Sequence, residues 1–191
     1  MNIARPPCSP PTSLLGTRDR ALALAGYSGG LRRSELAALQ VRDLKFTDAG
    51  AIAIIRRSKG DQEGEGRKVV LPSGAHPATC PVWAVKDWLK LTKINEGFLF
   101  RAVDGHGRHP EGLHPDSVGG ILKRMLGRAG YNPESYGGHS LRAGFATQAA
   151  INGATELEIM RQTGHRSLVT LRRYIREGQL FRAAAAEKLG L

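Results

Sequence analysis

The chain has 191 residues, enough for one core but short for two full domains, so a single domain with at most a small satellite sheet is expected. Lysine and arginine number 28 against 17 aspartate and glutamate, a formal net charge of +11 that suits a polyanionic partner, nucleic acid first. No run approaches the roughly 20 apolar residues that span a bilayer, and the N-terminus lacks the basic-then-apolar order of a secretion signal; the two cysteines, Cys8 and Cys80, have no partner at disulfide or metal-ligand spacing.

Residues 1–16 (MNIARPPCSPPTSLLG) carry four prolines and no apolar period, and read as a disordered leader or a linker, with the folded domain expected over 17–191. From there TRDRALALAGYSGG offers Thr17 as an N-cap, a run of Ala and Leu, and a stop at Gly29-Gly30, which predicts a first helix. RRSELAALQ puts Leu36 and Leu39 on one face with Ser34 and Glu35 in the opening turn, so a short second helix should start between Leu31 and Arg33. VRDLKF, AIAIIRR and RKVVLP then alternate and are rich in β-branched residues, separated by TDAG and by the loop SKGDQEGEG. A three-stranded antiparallel sheet fits them.

Pro81 opens PVWAVKDWLKLT, a helix whose apolar face holds Val82, Val85 and Leu89 with Trp83 and Trp88; both tryptophans read as core anchors rather than as platforms for stacked bases. GFLF is a short strand or extended link and DGHGRHPEGLH a polar loop. Beyond His114 the pattern is helical in HPDSVGGILKRMLGRAG, HSLRAGFATQAAING, TELEIMRQTGH, SLVTLRRYIREG and QLFRAAAAEKLGL, divided by Gly and Asn-Gly breaks. The expected fold is α+β and mainly α, a helical domain with one small three-stranded antiparallel sheet.

Five segments carry chemistry: GGLRRSEL (29–36), RRSKGD (56–61), GGHSLRAG (137–144), TGHRS (163–167) and LRRYIR (171–176). Their order and spacing resemble the catalytic domain of the tyrosine recombinases, the phage-integrase family, over essentially the whole chain after residue 16. That family has an arginine in a G-L-R-x-S-E-L segment, a lysine in a β-hairpin loop, then H-x-L-R, then G-H, and a tyrosine nine residues after that histidine. The resemblance places these on Arg32, Lys59, His139 with Arg142, His165 and Tyr174, and puts Glu35 one helical turn after the first arginine as its supporting partner. Two doublets, Arg32-Arg33 and Arg172-Arg173, leave the clamp arginine to be chosen by alignment with G-L-R, which selects Arg32.

Attack on a phosphodiester spreads negative charge over the equatorial oxygens of a pentacoordinate transition state. Guanidinium suits them because it is permanently charged and forks onto two oxygens, which is the part implied for Arg32 and Arg142. His165 is implied as a further hydrogen-bond donor to a nonbridging oxygen. A phenol with an ordinary pKa of about 10 needs a base and cationic neighbours to attack; His139 is implied as that base, and Lys59 as the acid that protonates the departing 5′ oxygen. His139 and Arg142, three apart, share a helical face, while Leu141 and Phe145 pack the same helix. The covalent 3′-phosphotyrosine would conserve the bond energy, so neither metal nor other cofactor is expected.

The resemblance further implies site-specific recombination on double-stranded DNA, by protomers that are single without DNA and tetrameric on paired sites, in a bacterial or phage-encoded cytoplasmic protein. The family's N-terminal core-binding domain has no room before Thr17. The tail from Gln179, amphipathic through Leu180, Phe181 and Leu189, resembles the family's final helix, which docks on a neighbour, though it can equally fold back. Two other readings stand beside recombination: relaxation of DNA in the manner of a type IB topoisomerase, and a truncated DNA-binding remnant that cannot recombine.

Overall fold

Helix α1 covers Leu14–Ser28 in the computed structural model, which describes residues 13–56, 66–109 and 111–179. It starts three residues ahead of the expected Thr17 because Ser13 supplies the cap, its hydroxyl accepting the Gly16 N–H at 3.1 Å, while the Thr17 hydroxyl donates back to the Ser13 carbonyl at 3.0 Å. After Gly29 and Gly30 comes α2 (Arg33–Ala38). The strand expected from Val41 is preceded by one 3-10 turn, Val41–Asp43. Asp43 causes this, since its carboxylate accepts the Gln40 N–H at 3.1 Å and an Arg56 N–H at 2.5 Å, curling the chain before the sheet begins.

Strands β1 (Leu44–Thr47), β2 (Gly50–Ile55) and β3 (Arg67–Pro72) form the expected antiparallel sheet in the order β1-β2-β3, with Ala53 opposite Leu44 on one side and Val69 on the other. The alternation buries Ala51, Ala53 and Ile55 on β2 and Val69 and Leu71 on β3. In α3 (Pro81–Thr92) Trp88 is fully buried and its indole N–H donates to the Leu99 carbonyl at 2.7 Å. Trp83 is half-buried, with the Lys86 ammonium 5.5 Å from its ring. GFLF is an extended link, bridged through Phe98 to Gln40.

Helices α4 (Ser117–Arg128), α5 (Ser140–Ile151), α6 (Glu156–Thr163) and α7 (Leu168–Gln179) complete the described chain. A large core joins α1 to α4 with the sheet around Leu22, Leu36, Val85, Trp88 and Phe100; a smaller one joins α5 to α7 through Ala146, Ala150, Ile159, Leu171 and Ile175. The smaller cluster is alanine-rich and thin, so it depends on being held to the larger one. Lys59 and the tail beyond Gln179 lie outside the described residues.

Replacing Trp88 by Phe opens space in the core and leaves the Leu99 carbonyl without its donor, which should lower unfolding free energy by about 2–4 kcal/mol in urea titrations. Trp83→Phe, on a half-exposed ring, should cost about 1 kcal/mol or less. Equal losses at the two positions would contradict the assignment of Trp88 as the anchor.

Candidate active site

The site is built where the two cores meet. Gly30 ends α1 in the left-handed region (φ 57°), and a Cβ there would come within 2.8 Å of Thr163 Cγ2 and 2.9 Å of Phe145 Cδ1. Only glycine lets the end of α1 lie against α5 and α6. Two residues on, Arg32 caps α2: its backbone N–H donates to Glu35 Oε2 at 2.9 Å, while its guanidinium donates to Glu35 Oε1 at 2.6 Å and to the Gly164 carbonyl at 3.0 Å. Arg33 instead turns to the surface and pairs with Asp116 at 2.9 Å, so the structure separates the two neighbours.

Glu35, whose side chain has no exposure, is also gripped by Arg67 at the start of β3, which donates to Oε1 at 2.8 Å and to Oε2 at 2.9 Å. Burial pushes the Glu35 carboxyl upward, but hydrogen bonds and charge from Arg67, then Arg32, outweigh it and hold the carboxyl below its ordinary value. Arg142, one turn into α5 and 5% exposed, donates through one nitrogen to the carbonyls of Gly30 and Thr163. Its Nη2 is buried and, like Arg67 Nε, makes no hydrogen bond among the described residues. Burial first, and the charge of Arg32 next, bring the Arg142 pKa down to about 10, which leaves the group cationic at neutral pH.

His165 follows Gly164, the left-handed cap of α6 (φ 67°), where a Cβ would meet the Arg67 side chain at 3.0 Å. Its Nδ1 is 2.8 Å from Thr163 Oγ1, and its ring lies 6.2 Å from that of Tyr174, centroid to centroid. Burial, then the charges of Arg142, Arg32 and Arg67, lower its pKa to about 4 against the pull of Glu35. Tyr174 is half-buried on α7, with Thr147 donating to its carbonyl at 3.2 Å. Arg172 pairs with Glu156 at the surface and Arg173 is exposed. His139 stands at the head of α5, exposed, with no hydrogen bond from its ring to cap the helix.

The structure thus gathers Arg32, Glu35, Arg142, His165 and Tyr174, sets His139 at the start of the helix that carries Arg142, and leaves Lys59 undescribed. Sequence reasoning missed Arg67 and Thr163. Arg67 was findable, because β3 alternates and Arg67 falls in step with the inward residues Val69 and Leu71. A charge at an inward strand position needs a partner, and Glu35 is it. Two guanidiniums on one carboxylate, with Arg142 in the same charge cluster, leave excess positive charge and two unused buried donor atoms, a setting for an oxyanion.

Residues 7–179 match the family model described as "Phage integrase family". Over 177 residues the chain is 40% identical to an integrase/recombinase xerD homolog of Selenomonas ruminantium, covering 92% of this chain and 52% of the relative. Over 174 residues it is 29% identical to tyrosine recombinase XerA of Pyrococcus furiosus, covering 91% and 55%. The chain therefore spans about half the length of these relatives. Among solved structures, XerH site-specific recombinase bound to palindromic difH substrate in a post-cleavage complex superposes with a TM-score of 0.74 at 23% identity, covering 95% of this chain and 48% of that one. XerA recombinase superposes with a TM-score of 0.65 at 21% identity, covering 94% and 67%. These likenesses show the fold.

Glu35→Gln removes the one negative charge from this cluster and should cost about 3–5 kcal/mol of stability at neutral pH. Because the folded carboxyl titrates below its unfolded value, the contribution is complete above about pH 4.3 and fades as pH falls through the folded value. In urea unfolding the gap between wild type and Glu35→Gln should be wide near neutrality and close in acid; a gap independent of pH would contradict the ion-pair account.

Proposed function

The chain belongs to the phage integrase family, and on that premise we propose that it is the catalytic part of a site-specific recombinase that cuts and rejoins double-stranded DNA through Tyr174. The observation that carries this reading is the buried Arg142 guanidinium, with Nη2 unused, set beside Arg32 and in the charge field of Tyr174. A phosphodiester oxygen is the ligand that such a donor fits, and the phenol lies close enough to influence the arginine.

In this reading Arg32 and Arg142 hold the nonbridging oxygens of the scissile phosphate, and Glu35 orients Arg32 from behind. Tyr174 attacks phosphorus; a 3′-phosphotyrosine forms and the 5′ oxygen leaves, protonated by Lys59 from the β2–β3 loop. Proton exchange with the phenol falls to an imidazole, for which the resemblance implies His139, with His165 as donor to the phosphate. Rejoining reverses the steps on a 5′ hydroxyl of another duplex, with no external energy source. Protomers that are single in solution would pair across two DNA sites as a tetramer, in the cytoplasm at the nucleoid. The net charge of +11 supplies a sequence-independent attraction, so affinity should fall steeply with salt.

The test is a pool of nicked duplexes of randomised sequence, designed to trap the covalent adduct, followed by denaturing gels. Wild type should form a protein–DNA adduct and Tyr174→Phe none; an adduct that survives in Tyr174→Phe refutes the nucleophile. Lys59→Ala should slow adduct formation by about 100-fold. Substituting sulfur for the 5′ bridging oxygen should restore most of that rate, because a thiolate leaves without needing the proton. A Lys59→Ala defect indifferent to the sulfur would remove Lys59 from the acid's role.

A further inference from the structure

The His139 ring is exposed at the head of α5 and makes no hydrogen bond among the described residues. Its place is therefore set through its Cα alone, by the backbone that leads into the helix. That backbone is Gly137-Gly138, the residue type with the most conformational freedom to lose. One part of the turn is closed locally, the Gly137 N–H donating to Ser140 Oγ at 2.9 Å and the Ser140 N–H to the Gly137 carbonyl at 3.0 Å. The rest of the hold comes from other helices. A Cβ on Gly138 would fall 2.9 Å from Arg33 Cδ and 3.5 Å from Arg33 Cβ, so the aliphatic stem of Arg33 lies directly on the Gly138 Cα. A Cβ on Gly119, in the first turn of α4, would come within 3.4 Å of the Gly138 nitrogen. The far end of the Arg33 side chain is fixed by its 2.9 Å pair with Asp116, the residue before α4, whose own backbone N–H donates to His114 Nδ1 at 3.3 Å.

We propose that Arg33 is a positioning residue for His139: latched by Asp116, its stem braces Gly138 beside α4 and so fixes where the next residue's imidazole stands. This rests on the DNA-cleavage reading, in which His139 exchanges a proton with the Tyr174 phenol. The arginine doublet then divides its work between two glycine–histidine steps. Arg32 donates to the Gly164 carbonyl, one residue ahead of His165, and Arg33 covers Gly138, one residue ahead of His139. One short helix thereby places both imidazoles. The Arg33 and Asp116 side chains are 46% and 67% exposed, and an ion pair that open adds little to stability, so its loss leaves the fold standing and releases one turn. A DNA phosphate is the other partner open to an exposed arginine here, and the two roles give Asp116 opposite effects: it competes with DNA for the cation in one and latches the brace in the other.

Amide hydrogen exchange of the chain without DNA reads the brace by itself. In Arg33→Ala the Ser140 N–H should exchange about 10-fold faster than in wild type, while the Gly164 N–H, which donates to the Met160 carbonyl at 2.7 Å, keeps its rate. With the nicked-duplex pool, Arg33→Ala should slow adduct formation by about 30-fold at unchanged DNA affinity, the loss expected of a base displaced by a fraction of an ångström. Arg33→Lys, which keeps the stem and a charge for Asp116, should restore most of the rate, and Asp116→Ala should slow it by about 10-fold. In a His139→Ala background, Arg33→Ala should change the rate by less than about 2-fold, because no imidazole is left to place. An unchanged Ser140 exchange rate, a full Arg33→Ala defect without His139, or tighter DNA binding and faster cleavage by Asp116→Ala overturns the proposal. Absence of adduct from wild type strikes the cleavage reading, while the Ser140 exchange rate still decides whether Arg33 holds the turn.

Discussion

A single carboxylate, that of Glu35, organises the site. It is fully buried, and burial of a lone charge would be prohibitive, so two guanidiniums from distant parts of the chain converge on it. Arg32 reaches it within one turn of helix and Arg67 from the first residue of a strand. That requirement fixes α2 against β3, and because Arg32 also reaches the Gly164 carbonyl, it carries the end of α6 into the same place. The geometry of the cationic cluster is therefore set by a carboxylate that is itself wholly buried.

The second constraint is the seam between the cores. Arg142 ties the Gly30 carbonyl at the end of α1 to the Thr163 carbonyl at the end of α6, using one nitrogen for both. Two left-handed glycines, Gly30 and Gly164, make the approach possible by leaving room for Thr163 and for Arg67. Electrostatics follow from this crowding: burial first, and then the charges of Arg142, Arg32 and Arg67, bring the His165 pKa down to about 4.

Much of this was legible in the sequence. The apolar periods gave the helices and the sheet, and G-L-R, H-S-L-R, G-H and the tyrosine nine residues later named five side chains that the fold brings to one seam or to the helix leading into it. Alignment with G-L-R chose Arg32 from the doublet Arg32-Arg33, and the fold separates the two by turning Arg32 in to Glu35 while Asp116 claims Arg33. Arg67 stood in the strand segment RKVVLP with its inward register unused, and Thr163 was one more small polar residue. The start of α1 and the turn before β1 shifted because Ser13 and Asp43 capture backbone N–H groups, a local competition that apolar spacing does not record.

Arg142 has two employments, one shown in holding the halves of the protein together and one proposed in meeting a phosphate, and they use different nitrogens. Tyr174 meets the fold through its ring, packed against the smaller core, and through its backbone carbonyl, while its hydroxyl is the part that the proposed cleavage would use. Under the proposed reading, a descendant gene released from the need to cut DNA would be free to lose the hydroxyl, yet would still need the arginine to keep its folded form. Among sequences of this kind the arginine is thus a record of architecture, and the tyrosine is the better witness to whether an enzyme is still at work.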